Sequence, residues 1–173
     1  MPEASPIPAH LTGLLDCCAG QVPEAVLRDF IMFSPTPHVV QTHSGVRIYT
    51  RCALDTLLAA WVLGGDIDIE TTPPGQTQPL RLMVRNGQLD APLGAVLALP
   101  TPANLHTAQE LYQSFCPYAL VFPDDATYHA WSVTTPVLTT PVTLQDAFEL
   151  ARQLVERLTD LHTLHGEGGA RCC

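Results

Sequence analysis

Two hydrophobic patterns follow one another along this chain, one with the period of a helix and one with the period of a strand. Near the N-terminus, apolar residues at helical spacing predict a helix from Ala9 to Cys18, which Gly20 ends. A second short helix is predicted from Pro23 to about Phe30, because proline suits the first turn of a helix.

The clearest helical pattern lies near the C-terminus, over residues 142–165. Seven apolar side chains recur there on one face of the predicted helix: Leu144, Phe148, Ala151, Leu154, Val155, Leu158 and Leu161. A shorter apolar helix is predicted from Cys52 to Leu63, and Gly64 and Gly65 end it.

Short runs rich in β-branched residues predict strands between these helices. The runs on either side of Ser44 and Gly45 predict a β-hairpin that leads directly into Cys52. Three or four further strands are predicted over residues 66–99, joined by tight turns as in an antiparallel meander. Another strand-like run follows Cys116, and Asp124 or Asp125 is expected to cap a helix after it.

These elements predict an α+β domain with a mainly antiparallel β-sheet core, flanking helices, a short helical N-terminal region and a C-terminal helix. The 173 residues are 46% hydrophobic and 14% charged, which is typical of one globular domain with a substantial core.

Charge and hydropathy exclude some classes of function. The net charge of −9 argues against a nucleic-acid partner or an anionic membrane surface, since both require a basic face. The first ten residues lack the features of a signal peptide. The longest apolar run, Leu57 to Leu63, is far shorter than the roughly 20 residues that span a bilayer. We therefore expect a cytoplasmic protein.

The six cysteines comprise two adjacent pairs, at 17–18 and 172–173, and two single residues, Cys52 and Cys116. Adjacent residues have Cα atoms about 3.8 Å apart, which is below the usual disulfide range of roughly 4.4 to 6.8 Å. Neither pair is therefore expected to form a structural disulfide. In a reducing compartment such thiols indicate metal binding, catalysis or simple burial.

Cys52 and Asp55 lie at the predicted start of an apolar helix. There, unsatisfied N–H groups and the helix dipole favour a thiolate, and Asp55 shares the same face three residues on. A buried small residue and a carboxylate that complements the dipole would give the same spacing. Cys116 precedes Pro117, which favours an extended or turn conformation, so its thiol could face Cys52.

The segments YTRCALDTL (49–57), SFC (114–116) and DAFELARQL (146–154), with TPH (36–38), resemble the organomercurial lyases, also called alkylmercury lyases. In that family a Cys-Ala-Leu-Asp motif supplies a catalytic cysteine and aspartate, and a later Ser-Phe-Cys supplies a second cysteine. The resemblance implies that Cys52, Asp55 and Cys116 are the catalytic residues and the mercury ligands.

The resemblance also implies an organisation and an activity. Residues 1–33 would form a shortened N-terminal helical segment, 34–165 the catalytic domain and 166–173 a flexible cysteine-containing tail. The activity would be protonolytic cleavage of a carbon–mercury bond, giving a hydrocarbon and mercury(II), with no organic cofactor. External small thiols or a mercuric reductase would accept the mercury(II). Arg51 departs from the family, which usually has tryptophan at that position.

Two alternatives stay open. Cys172 and Cys173 end a glycine-rich tail and could take mercury(II) from the site, or they could be incidental thiols, and the roles of Cys17 and Cys18 are equally open. The chain could also be a non-enzymatic protein that binds or transfers mercury or copper on the same fold. Asp55 separates these hypotheses, because a pure metal binder does not need that acid.

Overall fold

In a computed structural model of the chain we describe residues 30–101 and 108–165. Their fold is α+β with antiparallel sheets, as the sequence predicts. The helix predicted over Ala9–Cys18, most of the one predicted over Pro23–Phe30, and both cysteine pairs lie outside the described residues. The division into three segments is therefore still a prediction.

The larger sheet has six antiparallel strands in the order β1-β3-β2-β4-β5-β6. The strands are β1 (Ile31–Met32), β2 (His38–Thr42), β3 (Arg47–Thr50), β4 (Ile67–Thr71), β5 (Leu80–Arg85) and β6 (Gln88–Asp90). The predicted hairpin is confirmed, because β2 pairs with β3 and Gly45 takes a φ of 89° in the turn between them. Asn86 and Gly87 also have positive φ, as a two-residue hairpin turn requires.

A smaller sheet has three antiparallel strands in the order β8-β7-β9. The strands are β7 (Val96–Pro100), β8 (Val121–Phe122) and β9 (Thr139–Thr143). The meander predicted over residues 66–99 is therefore wrong at its last strand, since β7 belongs to this second sheet. Between β6 and β7, Pro92 has no N–H to continue a ladder and Gly94 takes a φ of 83°.

Among the residues that the structure describes, four α-helices accompany the sheets: α1 (Ala53–Leu63), α2 (Ala108–Glu110), α3 (Asp125–Ser132) and α4 (Leu144–His165). A π-helical turn (Leu111–Phe115) and a 3-10 turn (Cys116–Tyr118) follow α2 directly. The capping role predicted for Asp124 is confirmed, because its carboxylate accepts a hydrogen bond from the backbone N–H of Thr127 at 2.7 Å. In the described part of the chain, no helix combines the length and apolarity needed to cross a bilayer.

Two predictions near the smaller sheet are wrong in detail. The strand-like run after Cys116 forms a strand only at Val121–Phe122, because the 3-10 turn occupies the residues around Pro117. The helix predicted over residues 142–165 begins only at Leu144, because Val142 and Thr143 belong to β9, which contains Pro141. Proline is tolerated there because β9 is an edge strand of its sheet.

Helix α1 lies at the centre of the core. It packs against α4 and against strands β2, β3 and β4 of the larger sheet. Seven of its eleven residues are buried, which explains why its apolar residues do not form a single stripe. Trp61 links α1 to α4 by two contacts. Its ring stacks on Phe148, with ring centroids 4.6 Å apart, and its indole N–H donates a hydrogen bond to the Phe148 carbonyl at 3.0 Å.

A substitution at Leu57 tests how far the stability of the fold depends on the burial of α1. Its side chain is 0% exposed, so Leu57→Ala should lower the free energy of unfolding by about 2–5 kcal/mol through lost transfer energy and a residual cavity. Leu63→Ala, in the last turn of the same helix, is the control, because Leu63 is 42% exposed. Urea denaturation measures both, and equal losses would contradict the central position of α1.

Candidate active site

Cys52 is the N-cap residue of α1 and has an extended backbone. Its backbone N–H donates a hydrogen bond to Oδ2 of Asp55 at 3.1 Å, and the backbone N–H of Asp55 donates in return to the Cys52 sulfur. This is the reciprocal arrangement of a capping box, with a thiol in place of the usual hydroxyl. The local sequence Cys-Ala-Leu-Asp therefore both starts the helix and holds a thiol beside a carboxyl group.

Cys116 comes from a separate segment. It begins the 3-10 turn that follows the π-helical turn, and the backbone N–H of Ala119 donates to the Phe115 carbonyl at 3.1 Å to close that turn. The backbone N–H of Ala53 then donates to the carbonyl of Ala119, also at 3.1 Å. This hydrogen bond joins the start of α1 to the Cys116 segment and so brings the two thiols together.

The structure brings Cys52, Asp55 and Cys116 into one buried cluster. One potential ligand atom from each lies within 4.8 Å of the others, and their exposed fractions are 0%, 4% and 4%. Two sulfurs and one carboxylate oxygen favour a soft, thiophilic metal over a hard cation such as magnesium. Among the residues whose side chains the structure describes, this is the single group of three such side chains arranged closely enough to hold a metal ion.

Burial governs the protonation of the cluster. It raises the pKa of Asp55 from 3.8 to about 7, against the opposing effects of hydrogen bonds from Cys52 and the charge of Arg51. Burial also raises the pKa of Cys52, as do its hydrogen bond to Cys116 and the charge of Asp55. We expected the helix start to favour a thiolate at Cys52. Without bound metal this expectation is wrong, because desolvation raises the pKa of the thiol by more than the backbone N–H groups lower it.

Two threonines that the sequence analysis did not identify, Thr50 and Thr36, fix the backbone next to the site by hydrogen bonds. The hydroxyl of Thr50, which is fully buried, donates to the carbonyl of Cys52 at 2.9 Å. The hydroxyl of Thr36 donates to the carbonyl of Thr50 at 2.7 Å. The signal available in the sequence was the position of Thr50 two residues before Cys52 and of Thr36 in the TPH segment.

The same TPH segment contributes a buried histidine. His38 is 3% exposed, and its Nδ1 lies 2.8 Å from the hydroxyl oxygen of Thr71 on β4. Burial lowers the pKa of His38 to about 4, so the imidazole is neutral at physiological pH. Its contact ties β2 to β4 behind the hairpin that leads to Cys52.

The fold and the site together define an α+β protein with a buried dithiol–carboxylate centre. Residues 33–156 match the family described as alkylmercury lyase, and the chain belongs to that family. An alkylmercury lyase from Streptomyces lividans is 32% identical over 145 residues, covering 81% of this chain and 61% of that protein. One from Bacillus cereus is 29% identical over 144 residues, covering 80% of this chain and 61% of the relative.

The chain thus spans about three fifths of the length of these curated relatives. Among solved structures, it is similar to a crystal structure of the mercury-bound form of MerB2, with a TM-score of 0.62 and 18% identity. The superposition covers 80% of this chain and 72% of that chain. At this identity the likeness shows a shared fold.

The raised pKa of Asp55 has a consequence for stability. Because the folded-state pKa of about 7 exceeds the ordinary value of 3.8, ionising this carboxyl group opposes folding, by at most about 4 kcal/mol above pH 7. The cost is absent below pH 3.8 and grows as the pH rises toward 7. Asp55→Asn should therefore stabilise the protein at pH 8, and the gain should shrink as the pH falls toward 4.

Urea denaturation from pH 4 to pH 8 measures this difference. Asp90→Asn, which removes an exposed carboxyl group from β6, is the control. A gain at pH 8 no larger than that of the control would mean that burial does not dominate the environment of Asp55.

Proposed function

We propose that this chain cleaves the carbon–mercury bond of organomercury compounds by protonolysis, with Cys52 and Cys116 as mercury ligands and Asp55 as the proton carrier. The observation that carries the proposal is the buried cluster of two thiols and one carboxyl group within 4.8 Å. Membership of the alkylmercury lyase family supports the same activity, as does the fold shared with mercury-bound MerB2.

In the first step a substrate R–Hg–X exchanges X for a thiolate. The cysteine loses its proton, X leaves as HX, and a sulfur–mercury bond replaces the mercury–X bond. Coordination to mercury favours the thiolate strongly enough to overcome the effect of burial on the thiol. The substrate is then held as R–Hg–S inside the site.

In the second step the other cysteine binds mercury and gives its proton to the Asp55 carboxylate. Two thiolates on one mercury push electron density toward the carbon and weaken the carbon–mercury bond. Asp55 then delivers the proton to that carbon, R–H leaves, and mercury(II) stays bound to Cys52 and Cys116. A carboxyl group with a pKa of about 7 suits this role, because near neutral pH it both accepts and releases a proton readily.

Release of mercury(II) completes the cycle. Two external thiols would exchange onto the metal, return a proton to each cysteine and remove mercury(II) as a dithiolate. Small thiols and a mercuric reductase are the acceptors we propose, and the chemistry requires no organic cofactor. Residues 34–165 would carry all of these steps as the catalytic domain.

A non-enzymatic protein that binds or transfers mercury or copper is the alternative on this fold. Two thiols are sufficient for such binding, and a third ionisable group in the same buried space adds a desolvation cost. Asp55 is 4% exposed and lies beside Cys52, where its carboxyl group can serve proton transfer. This placement favours the enzymatic proposal.

Asp55→Ala separates the two functions. The variant should retain mercury but release hydrocarbon at least about 100-fold more slowly, because general acid catalysis contributes roughly 10²–10⁴-fold. The measurement follows benzene formed from phenylmercury in excess small thiol, together with protein-bound mercury. Asp90→Ala is the control for a lost exposed carboxyl group. Hydrocarbon release by Asp55→Ala at the full rate would refute the role of Asp55, and stoichiometric binding without turnover by the unmodified chain would refute the enzymatic function.

We also propose that Cys172 and Cys173 accept mercury(II) from Cys52 and Cys116. Replacing both tail cysteines with serine should leave the first turnover unchanged and slow later turnovers severalfold at limiting external thiol. Single-turnover and steady-state rates of hydrocarbon release measure this, with Cys17 and Cys18 replaced by serine as the matched control. Unchanged steady-state rates at low thiol would show that the tail cysteines are incidental.

A further inference from the structure

Thr50 is a buried polar residue at the end of β3, two residues before Cys52. Its side chain is 0% exposed, and burying a hydroxyl group costs free energy unless the group finds a hydrogen-bond partner. The partner is the backbone carbonyl of Cys52, which accepts from the hydroxyl at 2.9 Å. Valine has nearly the same shape without the hydroxyl group, so burial at a strand end does not by itself require threonine at this position.

The start of α1 does not require this hydrogen bond either. The helix begins with the reciprocal hydrogen bonds between Cys52 and Asp55, which give partners to free backbone N–H groups. The carbonyl of an N-cap residue ordinarily accepts the first hydrogen bond within its own helix, and a carbonyl oxygen has two lone pairs. The hydroxyl of Thr50 therefore holds Cys52 in addition to the contacts that begin the helix.

The peptide group between Cys52 and Ala53 is held at both of its polar ends. Its carbonyl accepts from Thr50, and its N–H donates to the carbonyl of Ala119 at 3.1 Å. On the other side of the Cys52 Cα atom, the backbone N–H of Cys52 donates to Oδ2 of Asp55 at 3.1 Å. Because peptide groups are planar, these hydrogen bonds restrict both backbone rotations of Cys52 and so fix the direction in which its thiol leaves the backbone.

The peptide group between Thr50 and Arg51 is held in the same way. Its carbonyl accepts from the hydroxyl of Thr36 at 2.7 Å, the shorter of the carbonyl contacts of that hydroxyl. Its N–H donates to the carbonyl of Phe30 at 3.1 Å. Thr36 therefore fixes the backbone from which the Thr50 side chain reaches Cys52.

The two steps of the proposed reaction differ in how much they depend on the position of Cys52. Exchange of X for a thiolate requires one sulfur. Cleavage requires Cys52 and Cys116 on the same mercury while Asp55 delivers a proton to the carbon. A misplacement of about 1 Å can lower the rate of such a step about 100-fold, so fixing Cys52 should matter for cleavage and little for the first binding.

We propose that Thr50 is a positioning residue for carbon–mercury bond cleavage, whose hydroxyl group fixes Cys52 for the second step, and that Thr36 acts through Thr50. This inference rests on the proposed carbon–mercury cleavage and deepens it by naming residues that orient the dithiol–carboxylate cluster.

The test is a single turnover, with the protein in excess over phenylmercury and Cys17, Cys18, Cys172 and Cys173 replaced by serine in every variant. The amount of phenylmercury bound and the rate of benzene release are measured. Thr50→Val should bind phenylmercury as the parent does but release benzene about tenfold more slowly, through loss of one positioning hydrogen bond. Thr50→Ser restores the hydroxyl group and should release benzene within about twofold of the parent rate.

Thr71→Val is the matched control. Thr71 is also 0% exposed, and its hydroxyl oxygen lies 2.8 Å from Nδ1 of His38. Both valine variants should lose stability in urea denaturation, because each loses a buried hydrogen bond, but benzene release should slow in Thr50→Val alone. Equal slowing in the two valine variants, the parent rate in Thr50→Val, or no recovery in Thr50→Ser would overturn the positioning role.

Thr36→Val tests the inference with the Thr50 side chain intact. It should slow benzene release about threefold in the parent, and it should have little further effect in Thr50→Val, because residues that act through one another are not additive. Equal slowing in both backgrounds would contradict the action of Thr36 through Thr50. If Thr50→Val does not fold, Thr36→Val decides the inference, and the parent rate in that variant would overturn it.

Mercury(II) binding separates this inference from the proposed reaction. Competition with a small dithiol measures the affinity for mercury(II) without any turnover. The affinity should fall severalfold in Thr50→Val and stay unchanged in Thr71→Val, because chelation requires both thiols in place. Benzene release at the same rate by the parent and by Thr50→Val refutes the inference alone. No benzene release by the parent refutes the proposed reaction, and the mercury(II) affinities then decide whether Thr50 positions Cys52.

Discussion

The hydrogen bond from the backbone N–H of Ala53 to the carbonyl of Ala119 is the constraint on which the site depends. It joins the first turn of α1 to the segment that carries Cys116, although more than sixty residues separate them in the chain. An N–H in the first turn of a helix has no partner within the helix, so it is available for this contact. This hydrogen bond satisfies a buried backbone donor and also brings the two thiols together.

Burial of the three ionisable groups is the second constraint, and it has both a cost and a use. The core excludes water from Cys52, Asp55 and Cys116, and this desolvation raises the pKa of Asp55 to about 7 and that of Cys52 above its ordinary range. Neutral groups are thereby favoured until a soft metal displaces the thiol protons. Burial disfavours the charged forms of Cys52 and Asp55. It therefore also keeps protons on these groups, close to the carbon that the proposed reaction protonates.

The surroundings of the cluster divide into two parts with different physical roles. Behind it, the hydroxyl groups of Thr36 and Thr50 fix the backbone of β3 and of Cys52 by hydrogen bonds. Arg51 and Tyr112 form the second part, a partly exposed pair of a cation and an aromatic ring. The hydroxyl groups fix the position of the thiol, and the contact between Arg51 and Tyr112 joins the residue before Cys52 to the segment that leads to Cys116.

The sequence by itself determined the local features of this protein. The N-cap position of Cys52, the start and end of α1, the β2–β3 hairpin and the cap at Asp124 all follow from residues within a few positions of one another. The motif resemblance also identified the family and selected the three residues of the cluster.

Only the tertiary structure decided the features that depend on distant residues, because neither periodicity nor spacing encodes which segments pack together. Three features are of this kind. Strand β7 belongs to a second sheet, β9 is an edge strand that contains a proline, and a π-helical turn and a 3-10 turn lie before and at Cys116. The protonation of Cys52 is another, since the helix start favours a thiolate but complete burial outweighs it. Desolvation depends on every segment that covers the site, and that is a property of the folded chain.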